Sequence, residues 1–146
     1  MANYKGFIRF YEGIRQETYY AREEMRILMT DDYIRGLIEG EGHFGVDTTA
    51  NGEKVPSFVL KMHARDKELI EAIRDHLQLQ NRVYEYRNQG RHFAMFIIRD
   101  IPTLKYKIVP LFRRKLLGIK GTQLEWWLEK FPYLRINESV PRQTVR

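Results

Sequence analysis

One segment, residues 33–44, constrains this chain more than any other, because it combines a short apolar helix, several glycines and two acids. Gly36 and Gly40 lie four residues apart in the predicted helix, and each glycine costs about 1 kcal/mol relative to alanine in a helix interior. Such a cost is expected where another helix must pack very close to the backbone. The spacing therefore predicts a helix–helix contact on this face, with Leu37 and Ile38 left for the core.

Two acids end the same helix. Glu39 and Glu41 lie at its C-terminal end, where the helix dipole is negative and disfavours carboxylates. Acids in that position indicate a bound cation. An ordinary helix end and turn with surface glutamates would account for Gly40 and Gly42. It would leave Gly36, in the middle of the helix, unexplained.

The nine residues 34–42, Ile-Arg-Gly-Leu-Ile-Glu-Gly-Glu-Gly, resemble the signature of the LAGLIDADG homing endonucleases, with Glu in place of Asp at both acidic positions. An aromatic residue, Phe44, then opens a strand, as in the family. Residues 58–70 are similar to the family's second strand and second helix, and residues 110–127 are similar to its closing segment. The three matches stand in the order that the family requires.

The resemblance implies an α+β domain with the element order αββαββα, in which helices cover one face of an antiparallel, saddle-like sheet. This domain would span residues 31–134, after an N-terminal extension over residues 1–30 and before a tail over residues 135–146. The function it implies is site-specific, metal-dependent cleavage of double-stranded DNA, with both strands cut.

Hydrophobic periodicity and turn signals predict the same order of elements. Thr30 or Asp31 can cap the signature helix, and Asp66 can cap the second helix. The predicted elements are a helix at 13–29, the signature helix to about residue 40, strands at 43–49 and 57–63, a helix from Asp66 to about Leu77, strands at 82–87 and 92–99, a helix starting at Pro102 and a last helix at 122–130.

Alternation along the strands assigns side chains to the two faces of the sheet. In the first strand Val46 shares the inner face with Phe44, and in the second strand Ser57 is expected outside. Trp126 is expected to pack in the core beside Trp127. The side chains expected to be partly buried in the helix at 13–29 are Ile14, Tyr20, Ile27 and Leu28.

The charge balance favours a polyanionic partner. The chain has 25 Lys and Arg residues against 19 Asp and Glu, a formal net charge of +6, which raises both affinity for nucleic acid and the rate of encounter. The absence of cysteine excludes disulfides and thiolate metal sites. Apolar runs are too short to span a membrane, so we expect a soluble intracellular protein, in a bacterial cytoplasm or an organelle matrix, without a membrane partner.

A second copy of the signature is not found in the sequence, since residues 117–121 lack the acids. The resemblance implies that the signature helices of two copies pack together, so we expect a homodimer with an isologous contact. A homodimer with two-fold symmetry binds a DNA site with the same symmetry, and each subunit would cover about 10 base pairs. The residues predicted at the dimer interface are Ile34, Gly36, Leu37 and Gly40.

The resemblance places the divalent metal at Glu41, the last acid of the signature, with the backbone carbonyl of Gly40 as a further ligand. Two Glu41 carboxylates that meet across a two-fold axis would repel each other unless cations lay between them. Mg²⁺ (or Mn²⁺) prefers such hard oxygen ligands and keeps several waters. A metal-activated water would then attack the scissile phosphate.

Supporting residues are also implied near the metal. A basic group would stabilise the charge that develops on the phosphate; Lys120 is the best match by position, with Lys115 as a rival. Lys61 or His63, at the end of the second strand, could orient a water or a phosphate. The predicted catalytic residues are therefore Glu41, Lys120, Lys61 and His63.

Sequence readout is expected from the outward faces of the two hairpins, because a two-stranded antiparallel ribbon fits the major groove. The predicted DNA-binding residues are His43, Asp47, Thr49, Ser57, Lys61, Arg82, Tyr84, Tyr86, Gln89, Arg91 and His92. Lys54, Arg87, Arg113 and Arg114 are assigned to phosphate contacts, which position the protein without specifying sequence.

Two alternative functions belong to a different class. The same fold could serve as an RNA maturase with intron RNA as its partner, or as a DNA-binding regulator that does not cleave. The retained acid at Glu41 favours cleavage, because a binding module has no need of paired acids beside phosphates.

A Ser-His-Asp pattern and a phosphate-binding Gly-Lys-Ser/Thr loop are both missing from the sequence.

Overall fold

The computed structural model describes residues 23–136, and its elements follow one another in the predicted order. A helical segment at residues 23–28 comes first. The bounds of the following elements are α1 Asp31–Glu41, β1 Gly42–Thr48, β2 Lys54–His63, α2 Lys67–His76, β3 Tyr84–Asn88, β4 Arg91–Ile98, α3 from Ile101–Thr103 through Leu104–Ile108 to Val109–Phe112, and α4 Ile119–Lys130, with 3₁₀ turns at Ala64–Asp66 and Pro132–Leu134. The α+β class and the αββαββα order are confirmed, with α4 as an additional closing helix.

The four strands form one antiparallel sheet in the order β1-β2-β4-β3. Each hairpin closes through a turn whose residues accept positive φ: Gly52 has φ 81° in the first turn, and Gln89 and Gly90 have φ 49° and 76° in the second. The second turn, with positive φ at both central residues, matches the right-handed twist of the paired strands. In the first hairpin residues 49–53 form the loop, pairing continues to Thr48 opposite Lys54, and β2 begins three residues earlier than predicted.

Helices pack on the face of the sheet that we call the inner face. Phe58, Leu60, Phe96 and Ile98 point to this face and are 1% exposed or less. Aromatic rings join the layers, since the Phe58 ring lies 5.5 Å from the ring of Phe112 in α3. This single core positions both ends of α1, and the sheet's other face, the outer face, is left without helices among the described residues.

Helix α3 contains a π-helical stretch, Leu104–Ile108, between two α-helical parts. Asp100 caps its start by accepting a hydrogen bond from the backbone N–H of Thr103. Pro110 has no N–H and therefore cannot continue the regular i→i−4 ladder. The backbone N–H of Val109 bonds instead to the carbonyl of Leu104, five residues back. Leu104 and Ile108 are fully buried by this arrangement.

The N-terminal helix prediction is only partly testable. Residues 23–28 are helical, whereas Ile14 and Tyr20 lie outside the described residues. Ile27 and Leu28 are 80% and 74% exposed, so their predicted partial burial was wrong. Met29, which follows this helical segment, is buried in the core instead of Ile27 and Leu28. Across residues 23–136 no helix has the length and apolar character that a membrane crossing requires.

The assignment of Val46 to the same face as Phe44 is confirmed, since Val46 pairs with Pro56 and Phe44 pairs with Phe58. Near the hairpin turn Val46 is 42% exposed and borders a groove. Two further predictions about burial and capping were wrong. Trp126 is 60% exposed, because α4 directs only Trp127 at the sheet. Asp66 precedes α2 without a side-chain capping bond. The ring Nδ1 of His63 accepts the backbone N–H of Arg65 instead and caps the 3₁₀ turn that leads into α2.

The two adjacent tryptophans allow a matched test of packing. Trp127 is 4% exposed, and its Nε1 donates a 2.7 Å hydrogen bond to the backbone carbonyl of Gly45. Because Trp127→Phe leaves that buried carbonyl without its donor, we expect the free energy of unfolding to fall by about 1–3 kcal/mol in urea denaturation. Trp126→Phe, one residue away, is expected to change it by less than about 0.5 kcal/mol. Equal effects of the two substitutions would contradict this placement of α4.

Candidate active site and nucleic-acid interface

Helix α1 presents two different faces. Thr30 caps its start by accepting the backbone N–H of Tyr33 at 3.1 Å, so Thr30 is the cap and Asp31 is not. Ile34 and Ile38 are 0% and 1% exposed and hold the inner side of the helix in the core. Placing Ile34 at a dimer interface was therefore wrong, because this chain already buries it completely.

Glycines form the other side of α1. Gly36 and Gly40 are exposed, and a Cβ built on either would meet no atom of the described residues within 4 Å. Leu37, between them, is partly buried against the core. Gly42 differs from both, since a Cβ there would clash with the side chain of Ile38. The chain itself thus explains Gly42 but gives no reason for a bare backbone at Gly36 or Gly40.

Glu41 ends α1 at the protein surface. Its side chain is exposed, and among residues 23–136 it takes part in no hydrogen bond or ion pair. The adjacent carbonyl of Gly40 lies in the last helical turn, where backbone carbonyls lack an intrahelical partner. One carboxylate and one carbonyl are hard oxygen donors of the kind that Mg²⁺ accepts. The described residues contain no group of three or more His, Asp or Glu side chains that could hold a metal ion.

Glu39, two residues earlier, has a different role from the one predicted. Its carboxylate accepts the backbone N–H groups of Leu117 (3.2 Å) and Gly118 (3.1 Å), at the start of α4. An anion is favoured at a helix N-terminus by the free N–H groups and the dipole. The suggestion that Glu39 attracts a cation was therefore wrong. Sequence reasoning missed this contact because it joins residues 78 and 79 positions apart.

The Glu39 contact bears on the choice between two lysines. Lys120 lies in the first turn of α4, two residues after Gly118, and is thereby tied to the signature helix. Its rival Lys115 donates from Nζ to the backbone carbonyl of Pro110 at 3.1 Å. The geometry favours Lys120, whose amino group is not engaged in any such bond within the described part of the chain.

Lys61 and His63 are both exposed on β2, at the end of the sheet that α1 enters. Gly42 is the first residue of β1 and pairs with Leu60, so Lys61 lies one residue beyond that pair, on the side where α1 ends. The Lys61 amino group lies 5.1 Å from the centre of the Phe93 ring. His63 lies two residues further on and uses Nδ1 in its capping bond. Lys61 is thus nearer to the end of α1 than His63.

The register of the sheet decides which side chains share the outer face, since directly opposed residues in an antiparallel pair point the same way. Most predicted DNA-binding residues are brought together there or along its rim. This set comprises His43, Asp47, Lys61, Arg82, Tyr84, Tyr86, Gln89 and Arg91.

His92 was wrongly assigned to that set. It pairs with Arg87 on the inner face, in line with the buried Ala94 and Phe96. Its Nε2 lies 2.8 Å from Glu85, which also accepts from Lys67 of α2. Hydrogen bonding from Lys67, with a smaller contribution from His92, lowers the pKa of the Glu85 carboxyl. The cause of the error is register: β4 begins at Arg91, and one residue along a strand changes the face.

Two further predicted readers have structural roles. Thr49 accepts the backbone N–H of Glu53 through Oγ1 and stabilises the first turn. Ser57 points outward but is 0% exposed, and its hydroxyl has no hydrogen-bond partner among the described residues. It is opposed to Gly45, where a Cβ would come 2.6 Å from the Ser57 hydroxyl oxygen. Ser57 is therefore a packing position of the outer face, not an accessible reader.

Arg99 is an outer-face residue that sequence reasoning missed. Its Nε donates to Asp47 at 2.6 Å, across the sheet from the end of β4 to β1. The period-two alternation of β4 could have found it, because Arg99 continues the series Phe93, Met95, Ile97. The pair means that Asp47 already has a cationic partner in the free chain.

A groove of about 440 Å³ separates the edge strand β1 from α4. Lys120 borders it on one side and His43 on the other. The groove therefore connects the loop that Glu39 holds with the outer face of the sheet. Its other lining residues include Val46, Gln123, Trp126 and Lys130.

Comparisons with known proteins agree with the observed fold. The family model for the LAGLIDADG endonuclease matches residues 34–130. The structure is similar to I-GzeII in complex with its DNA target (28% identity, TM-score 0.60) and to I-LtrWI bound to target DNA (27%, 0.61). Each match covers 70% of this chain but only 35% and 36% of those chains. I-TnaI, at 24% identity and TM-score 0.57, shares the fold over 73% of this chain and 78% of its own. No curated protein sequence matches significantly.

Alanine substitutions of the two acids of α1 should change the free energy of unfolding by different amounts. Glu39→Ala removes both acceptors of the Leu117 and Gly118 N–H groups, and we expect it to lower the free energy of unfolding by about 1–3 kcal/mol. Glu41→Ala removes a carboxylate that is unpaired in residues 23–136 and is expected to change stability by less than about 0.5 kcal/mol. Urea denaturation of the two variants measures both, and a larger loss for Glu41→Ala would contradict the assignment.

Proposed function

Because the chain belongs to the LAGLIDADG endonuclease family, we propose that it is a homing endonuclease that makes metal-dependent double-strand cuts in a long pseudo-palindromic DNA site as a homodimer. The main support is the combination found in α1. An unpaired carboxylate, Glu41, ends a helix whose exposed side has no Cβ atoms at Gly36 and Gly40.

Support for the homodimer comes from the exposed side of α1. Inside the chain nothing requires glycine at position 36 or 40, although each glycine lowers helix stability. A second α1 packed across a two-fold axis would use the bare backbone of both residues. Tyr33, 47% exposed, continues the same surface. An isologous contact of this kind would bring the two Glu41 residues close to the axis.

Glu41 of each subunit, with the Gly40 carbonyl, would hold Mg²⁺ (or Mn²⁺). When bound, the metal would supply an activated water and charge stabilisation at the scissile phosphate. Lys120 would place a positive charge beside the phosphate, held in position by the bonds from Glu39 to the start of α4. Lys61, next to the end of α1, would orient a water or a phosphate oxygen, with His63 further out.

The outer face would bind the DNA duplex. Its side chains include three cations: Lys61 on β2, Arg82 just before β3 and Arg91 on β4. The net charge of +6 acts in the same direction. I-GzeII and I-LtrWI, which share the fold, are DNA-bound relatives. One subunit would cover about 10 base pairs.

A cleavage assay tests the proposal. We expect the purified protein with Mg²⁺ to cut one pseudo-palindromic site in a library of DNA duplexes, and Glu41→Gln to cut at least about a hundredfold more slowly, because removing a metal ligand should cost at least as much as removing a residue that only orients one. A reaction with Ca²⁺ in place of Mg²⁺ serves as the non-cleaving control. Selective DNA binding without cutting would favour the regulator, and selective binding of structured RNA would favour the maturase.

The dimer has its own test, independent of cleavage. Gly36→Leu places a side chain where the chain itself has open space, so we expect the single subunit to stay folded, with up to about 1 kcal/mol gained from helix propensity and the stabilisation by dimerisation lost. Sedimentation equilibrium should nevertheless show a monomer, with DNA cleavage abolished. Gly42→Ala is the contrasting variant, since its Cβ clashes with Ile38 and should destabilise the fold. An unchanged dimer in Gly36→Leu would overturn the proposed interface.

A further inference from the structure

The outer face of the sheet is apolar at its centre. The outward side chains of β4 between Arg91 and Arg99 are all apolar, Val59 of β2 lies directly beside them, and Val55 lies further along the same face of β2, opposite Asp47. We call this patch the apolar strip; it consists of Val55, Val59, Phe93, Met95 and Ile97. Val59 and Ile97 are directly opposed, which makes the strip continuous across the two central strands.

The strip is only partly covered. Val55, Val59, Phe93 and Ile97 retain intermediate exposure, and Met95 is 8% exposed beneath neighbouring side chains. A sheet with one face on the core usually alternates between apolar inward and polar outward residues. Contiguous apolar surface on the other face of such a sheet marks an interaction site.

Cations surround the strip. Lys61 lies next to Met95 in the β2–β4 register, and Arg82 stands 5.3 Å from the ring of Tyr84 on the outer strand. Arg91 and Arg99 stand at the two ends of the outward series of β4. On the β1 side the outward residues are His43, Gly45 and Asp47, and Asp47 is neutralised by Arg99. The partner that matches this surface is apolar along its centre and anionic where the four cations lie.

The major groove of DNA has that pattern wherever thymines line it. The C5-methyl group of thymine is the apolar feature of the groove floor, and phosphates border the groove on both sides. The groove is about 12 Å wide, and four strands span about 14 Å at 4.8 Å spacing. The two central strands would therefore face the floor while the outer strands approach the phosphates.

We infer that the apolar strip recognises thymine methyl groups in the major groove, so that part of the target site is specified by apolar contact and not by hydrogen bonds. This inference rests on the proposed function, since it requires the outer face to bind DNA. It also identifies specificity residues outside the polar set predicted from sequence. RNA lacks the methyl group, and the deep, narrow major groove of A-form RNA admits no sheet. The strip therefore matches DNA and not RNA.

Replacement of thymine by uracil removes only the methyl group and leaves base pairing intact. The probe is the duplex that the wild-type protein selects from a library, prepared once with thymine and once with uracil throughout. Binding in Ca²⁺, measured by fluorescence anisotropy, should weaken by about fourfold for each methyl group that the strip would otherwise bury. For two or three such methyl groups we expect the affinity to fall tenfold or more. An unrelated duplex with the same replacement should change by less than twofold.

Matched variants connect the effect to the strip. Val59→Thr and Ile97→Thr keep a β-branched side chain but put a hydroxyl in the strip, and each should reduce the ratio of affinities between the thymine and uracil duplexes. Arg91→Gln is the control: it should weaken binding to both duplexes by the same factor and leave the ratio unchanged. The wild-type comparison needs no variant, so equal affinity for the two duplexes would overturn the inference even if a substitution prevents folding.

The outcomes separate this inference from the function on which it rests. Failure to select any duplex would overturn the proposed DNA binding itself. Selective binding with equal affinity for thymine and uracil duplexes would overturn the strip's role and leave the endonuclease proposal standing. A thymine preference that persists unchanged in both threonine variants would also overturn it. Single uracil substitutions along the site should place the sensitive positions under the central strands of each half-site.

Discussion

The burial of Ile34 and Ile38 is the constraint on which the rest of this structure depends. These two side chains fix α1 in a core that it shares with β1, β2, α3 and α4. With one side of the helix committed to the core, its opposite side and its C-terminal end have fixed positions relative to the sheet. The core contacts of Ile34 and Ile38 therefore keep Gly36, Gly40 and Glu41 at the surface.

The two glutamates of α1 illustrate how near neighbours acquire different chemistry. Glu39 accepts backbone N–H groups at the start of α4 and couples the signature helix to the loop before Lys120. Glu41 stays without a partner among the described residues. Both carboxylates are disfavoured by the dipole at the end of α1, but the N-terminus of α4 offsets this cost for Glu39 alone. At Glu41 no described residue offsets this cost, and the proposed metal ion would relieve it.

Local patterns predicted the elements because helices and strands impose different periods on apolar residues. The hairpin turns at Gly52 and Gly90, the cap at Thr30 and the core face of α2 follow from signals within a few residues. Errors arose where a distant element decided the outcome. Trp126 and Trp127 are equally apolar, and only the position of α4 against β1 buries one and exposes the other.

The candidate site divides in the same way. By itself the sequence determined the signature helix, its glycines, its terminal acid and the order of the hairpins, because each depends on neighbours along the chain. Only the tertiary structure decided that Glu39 holds α4, that Ile34 is core, that His92 faces inward and that Arg99 reaches Asp47. These outcomes depend on strand register and on contacts between residues up to 79 positions apart, and no local pattern carries that information.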